Sequence, residues 1–128
     1  MTHILMVGGL AMIDFTLSEE QLMIRDMARE FCDEEVIPHA EEWDREGTYP
    51  LEKIKKAHEL GLLNVTIPEK YGGQGMSALD EIIICEEISR GDAGFGTAAY
   101  HTMLATLPIL TGGTDEQKKE YFGRVVSG

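Results

Sequence analysis

At three places in this chain a short hydroxyl side chain is followed three residues later by one that can reach back to it: Ser18 with Gln21, Ser77 with Asp80, and Thr114 with Gln117. This is the spacing of a helix N-terminus, where the first side chain accepts from the backbone three residues on and the second returns the bond. Glu19 and Glu20 follow Ser18 in the first turn, where the helix dipole favours acids. Behind this start Ile24, Met27, Ala28, Phe31 and Cys32 recur at i, i+3, i+4, i+7 and i+8, a single apolar helical stripe. Pro38 ends or kinks that helix, and His39 to Glu46 can continue it beyond the kink.

The same punctuation yields four more helices. Thr48-Tyr49-Pro50 opens the second, with Leu51, Ile54, Ala57 and His58 on one face and Gly61 as its C-terminal cap. Its lysines alternate with acids, as in Glu52 and Lys56, which reads as a solvated face. A loop with Pro68 and Tyr71-Gly72-Gly73-Gln74-Gly75 leads to the helix capped by Ser77. There Leu79, Ile82 and Ile83 make one face and Ile84 and Ile88 another, so this helix should sit centrally. The run Ile82 to Cys85 also suits a buried strand, but its charged flanks and the segment length favour helix. After Gly91, Gly94 and Gly96, the residues Tyr100, Met103, Leu104 and Leu107 line up until Pro108 interrupts. Gly112-Gly113 turns the chain into a last helix carrying Phe122, Val125 and Val126. The expected fold is all-α, an antiparallel bundle of about five helices.

With 128 residues the chain has the length of one domain. The patterned part is residues 13–128. Residues 1–12 are expected to be a leader or a misassigned start, with Met12 the natural first residue. The opening stretch lacks the basic start of a secretory signal and the Arg and Ser of a transit peptide. N-terminal sequencing of protein from the native source tests this.

Composition excludes partners more than it names them. Acidic residues outnumber basic ones by 23 to 11, a formal charge of −12, which argues against nucleic acid and anionic membrane surfaces. No apolar run has the length of a membrane span. Cys32 and Cys85 stand 53 positions apart without a CxxC pattern, as small hydrophobes in a reducing compartment would. The histidines at 3, 39, 58 and 101 lack metal-ligand spacing, the serines lack a nucleophile elbow, and neither glycine cluster matches GxGxxG. Both glycine clusters read as backbone turns or close approaches. The many carboxylates fall on helix ends and outer faces. No catalytic residue and no metal site is assigned.

The order of these segments resembles the acyl-CoA dehydrogenase family over nearly all of residues 15–128. The matching stretches are Phe15-Thr16-Leu17-Ser18-Glu19-Glu20-Gln21, Val36-Ile37-Pro38, Gly47-Thr48-Tyr49-Pro50 and Glu59-Leu60-Gly61-Leu62. Ile67-Pro68-Glu69-Lys70-Tyr71-Gly72-Gly73-Gln74-Gly75 is the most specific of them. Glu86-Glu87-Ile88-Ser89-Arg90 and Gly113-Thr114-Asp115-Glu116-Gln117-Lys118-Lys119 complete the order.

The resemblance implies the N-terminal helical domain of a three-part enzyme, with a middle β-domain and a C-terminal helical domain absent from this sequence. Such enzymes use FAD to oxidise an acyl-CoA to the 2,3-enoyl-CoA, pass electrons to an electron-transferring flavoprotein and assemble as homotetramers. The flavin contacts and the catalytic carboxylate are implied to lie mostly on the other domains, so this part alone is expected to be inactive. The implied alternatives are a split subunit, or a non-catalytic interaction module, each needing a partner chain. The cytoplasm is the expected compartment, with the mitochondrial matrix as the alternative. So acidic a domain is also ill suited to gripping the phosphates of CoA.

Carried across by position, the resemblance places Phe95, Gly96, Thr97, Tyr100, His101 and Leu104 on the wall of the acyl-chain tunnel. Tyr100 and Leu104 also fit the bundle's own apolar stripe. Tyr100 stands where bulk would close the tunnel, which implies a preference for short or medium chains.

Overall fold

The structure, a computed structural model, describes residues 15–128 in full and, of the first fourteen residues, the backbone of 4–7 and 10–13. From Phe15 onward every regular element is helical. The helices are α1 (Glu19–Phe31), α2 (Ala40–Glu46), α3 (Leu51–Glu59), α4 (Ala78–Gly91), α5 (Ala93–Gly112) and α6 (Asp115–Ser127). Because α1 and α2 belong to one interrupted rod, these are the five rods of the expected bundle. All three capping boxes form. At the first, the Gln21 N–H donates to Ser18 Oγ and the Ser18 N–H donates to Gln21 Oε1, both at 3.1 Å.

The interruption between α1 and α2 follows from Pro38. It has no N–H to donate, and in a regular helix its ring would strike the carbonyl of Glu34. The chain therefore widens into a π turn over Cys32–Val36, where the Ile37 N–H reaches the Cys32 carbonyl, and then tightens into a 3-10 turn over Ile37–His39. The rod kinks and resumes as α2, one of the two outcomes expected. Pro108 departs from expectation, because α5 runs through it to Gly112. Only one bond is lost, that to the Leu104 carbonyl, on an open side of the helix. The Thr106 and Thr111 hydroxyls donate to the carbonyls of Thr102 and Leu107, each at 2.9 Å, on either side of it.

The core forms where α4 meets the first rod and α5. Ile84 and Ile88 pack with Ala28, Phe31, Cys32 and Val36, with Phe95 and Ala99, and with Leu62, Leu63 and Val65 of the loop after α3. The central place expected for α4 is thus occupied, but on one side only. Leu79 and Ile82 point outward, Ile82 with 61% of its surface exposed.

Two charge arrangements correct the reading of the acids and lysines as solvated. On α4, Glu87 is buried and holds Arg29 of α1 through two bonds of 3.0 and 2.5 Å. Arg90 contacts the same carboxylate at 3.3 Å and Asp33 at 2.5 Å. The hydrogen bonds from Arg29 hold the Glu87 carboxyl below the usual carboxylate range. On α3, Lys56 pairs with Glu35 of the π turn, not with Glu52, and Lys53 reaches the same carboxylate, both at 2.5 Å. Glu52 pairs with Lys55 instead, at 3.0 Å. Spacing within one helix could not reveal that two lysines face a carboxylate on another.

Ahead of the bundle, β1 (Ile4–Val7) pairs antiparallel with β2 (Leu10–Ile13), Ile4 opposite Ile13 and Val7 opposite Leu10. The sequence reading assigned no structure here. Gly8-Gly9 between two apolar runs is the sequence signal of a two-residue hairpin. Beyond that backbone pairing, the expected leader over residues 1–12 lies outside the described residues, as does His3.

Candidate substrate-facing surface

The six residues expected on a tunnel wall all lie on α5, and the fold divides them. Phe95, Gly96 and Tyr100 are buried; Thr97, His101 and Leu104 are exposed, Leu104 by 74%. The exposed three stand at i, i+4 and i+7, so they share one face.

The buried three are held by the bundle. The Phe95 ring stacks on Trp43 at 5.6 Å between centroids and tilts against Phe31 at 6.2 Å. Gly96 lies against Ser89 of α4, where any Cβ would collide with the serine side chain, so glycine sets the approach of the two helices. The Tyr100 hydroxyl donates to the Leu62 carbonyl at 3.0 Å, tying α5 to the loop after α3. Burial pushes the Tyr100 phenol far above its ordinary range. Asp92, in extended conformation, starts the helix by accepting from the Phe95 N–H.

The exposed three form a nearly charge-free wall. The Thr97 hydroxyl donates back to the Ala93 carbonyl at 2.9 Å, and His101 Nδ1 bonds the Ala98 carbonyl. Leu107 extends the stripe, and α5 contains no Asp, Glu, Lys or Arg. A helix apolar nearly all round is normally buried, yet one side of this one is open. Leu79 and Ile82 on α4 and Met23 on α1 are further apolar residues left uncovered. Monomeric proteins seldom expose large apolar patches without a partner for them.

A polar residue that sequence reasoning missed is buried on α4. Glu81 is only 6% exposed and accepts from the Thr66 hydroxyl at 3.2 Å. Burial raises its carboxyl above the ordinary glutamate value. Its place at i−3 and i−7 from Ile84 and Ile88 put it on the buried face, the one signal that could have found it.

The glycine-rich turn does not fit the pyrophosphate of a flavin dinucleotide. A pyrophosphate needs several free backbone donors in one turn, and the glycine-rich turn has spent its own. The N–H groups of Gly72, Gly73 and Gly75 donate to the carbonyls of Glu69, Pro68 and Ile67, at 2.8, 3.3 and 2.8 Å. Among the described residues no cluster of three or more His, Cys, Asp or Glu could hold a metal ion, and no helix is long and apolar enough to cross a membrane.

Comparison with known proteins agrees with this geometry. The family profile "Acyl-CoA dehydrogenase, N-terminal domain" matches residues 18–128. A probable medium-chain specific acyl-CoA dehydrogenase 2, mitochondrial, of Caenorhabditis briggsae is 40% identical over 115 residues, covering 90% of this chain and 28% of the worm protein. The structure of a glutaryl-coenzyme A dehydrogenase glutaryl-CoA complex superposes with a TM-score of 0.81 at 34% identity, covering 90% of this chain and 30% of that one. A structure described as the electron transferring flavoprotein of Acidaminococcus fermentans gives 0.82 at 38% identity, covering 91% and 31%. The chain spans under a third of each of these relatives. It belongs to the acyl-CoA dehydrogenase family, of which it forms the N-terminal helical domain.

Proposed function

We propose that this domain serves an FAD-dependent dehydrogenase that converts an acyl-CoA to its 2,3-enoyl-CoA, and that it contributes the acyl-chain wall and a docking face. The observation that carries this reading is the open, charge-free stripe of Thr97, His101, Leu104 and Leu107 on an otherwise packed helix. Such a wall suits an apolar tail that needs few polar anchors. Tyr100 lies behind the wall and holds α5 against the Leu62 carbonyl, which limits how deep a chain can run. Leu79 and Ile82 belong to the face on which the remaining domains dock.

Family members are flavoproteins, and FAD held by sequence outside this chain supplies the hydride acceptor. The residues of this chain bind and orient the acyl group and keep water from it. Electron-transferring flavoprotein is the proposed redox partner and a homotetramer the proposed assembly.

The test is to purify the 128-residue chain with and without the family's downstream domains. Alone it should be colourless and inactive on acyl-CoA. With those domains, fused or supplied separately, it should turn yellow and active; activity from separate chains marks a split subunit. Flavin retained by the chain alone, or no activity in either combination, counts against the reading. In the active form, Tyr100→Ala should move the preferred acyl length upward, whereas an unchanged optimum rules out a depth limit at that position.

A further inference from the structure

On the outer side of α1, Glu20, Met23, Met27 and Glu30 stand at i, i+3, i+7 and i+10, a single stripe along the helix. All four are exposed, Met23 by 72% and Met27 by 38%. Glu19 and Asp26 stand beside the stripe, and Glu34 follows it in the π turn. The rod to which they belong carries most of the molecule's charge. Residues 19–46 hold 11 of the 23 acidic residues and 3 of the 11 basic ones, which places −8 of the −12 there.

Elsewhere in this rod the acids are met from other helices: Lys53 and Lys56 hold Glu35, and Arg90 holds Asp33. Along the outer stripe they are not. The two cations of α1 are already engaged, Arg25 by Asp26 and Arg29 by Glu87. Among the described residues Glu19, Glu20, Glu30 and Glu34 form no ion pair. Two exposed thioethers thus lie in a frame of four unpaired carboxylates, over about 15 Å of helix.

We propose that this face of α1 docks a cationic amphipathic helix of a partner protein. Its apolar residues would lie on Met23 and Met27, and its lysines or arginines beside the four glutamates. Unbranched methionine adapts to differently shaped apolar partners, and opposite charge steers the approach and sets the register. Nucleic acid and anionic membranes bring the wrong sign. A second copy brings another −12, and only its Lys118 and Lys119 lack an acid or a ring as partner among the described residues. The face shares no residue with the acyl wall of α5, and the inference does not depend on the dehydrogenase reading.

The test titrates the isotope-labelled 128-residue chain with a synthetic helix of leucine and lysine, and with one of equal charge in which alanine replaces leucine. Backbone amide shifts are followed. The leucine helix should move the amides of Glu20, Met23, Met27 and Glu30 and bind several-fold more tightly than the alanine helix. The double variant Glu20→Gln, Glu30→Gln touches only exposed side chains and should lose about fivefold in affinity, the effect of two exposed charge pairs. Glu59→Gln, Glu69→Gln removes the same charge from exposed positions off α1 and should bind as the parent does. Met23→Ser should weaken the leucine helix several-fold and leave the alanine helix unchanged. Equal losses in the two double variants would reduce the effect to general charge attraction and overturn the assignment. So would equal affinity for the two helices, shifts centred on Leu79 and Ile82, no shifts at all, or self-association of the chain that Met23→Ser abolishes.

Discussion

Gly73 shows how far a single atom can matter in this fold. A Cβ there would be driven into the backbone carbonyl and side chain of Ile67, neither of which can swing away. Gly73→Ala is therefore expected to cost about 1–3 kcal/mol, the usual penalty for overpacking, visible as a lower urea midpoint with an unchanged slope. Glu81 makes a different prediction, because its carboxyl is buried with one hydroxyl donor. Its value is raised in the folded state. Its stabilising contribution is then complete below the unfolded glutamate value and drains away as pH climbs through the folded one. Glu81→Gln keeps an acceptor for Thr66 and cannot ionise. The variant should gain stability relative to the parent as pH rises from the unfolded glutamate value through the raised folded one. A gap independent of pH would show that the carboxyl titrates as it does in the unfolded chain.

Among the elements, the π turn is where sequence and fold part company in detail. The backbone supplied the kink at Pro38, but the packing of the kink rests on Glu35, clamped by Lys53 and then Lys56 from α3. Those hydrogen bonds hold the Glu35 carboxyl down to about 2. A lowered carboxyl stabilises above its unfolded value and loses that contribution as pH falls toward the folded one. Acid unfolding followed by circular dichroism should therefore steepen between about pH 4.5 and the Glu35 value. Glu35→Gln should flatten that limb and lower the stability near neutrality. What could be read from sequence here was local. Capping boxes and the Gly61 cap involve neighbours a few residues apart and formed as expected, whereas the apolar stripes held only in part, with Leu51, Leu79, Ile82, Leu104 and Leu107 exposed. What could not be read joins distant segments: Arg29 with Glu87, Lys56 with Glu35, the Tyr100 hydroxyl with the Leu62 carbonyl. Helical periodicity likewise places Tyr100 and Leu104 near one another, but not which of them the neighbouring loop covers. That is why the six expected wall residues split between core and surface.

For the whole molecule, the telling quantity is apolar surface that the bundle leaves open. Leu104 and Leu107 make little contact within this chain, so replacing them should leave its folding nearly untouched. Leu104→Glu and Leu107→Glu should each change the stability of the isolated chain by no more than about 0.5 kcal/mol. The same substitutions put a charge on the wall that an acyl tail or a docked domain must cover, where an unpaired carboxylate is costly. In the assembled dehydrogenase they should raise KM for acyl-CoA or prevent the downstream domains from docking. Sedimentation of the chain with those domains separates the two effects: a complex that forms but binds substrate poorly assigns the residue to the wall, and a complex that fails to form assigns it to the docking face. Full activity and full assembly in both variants would mean that the open stripe of α5 meets neither substrate nor protein, and the proposed role of this face would fall with it.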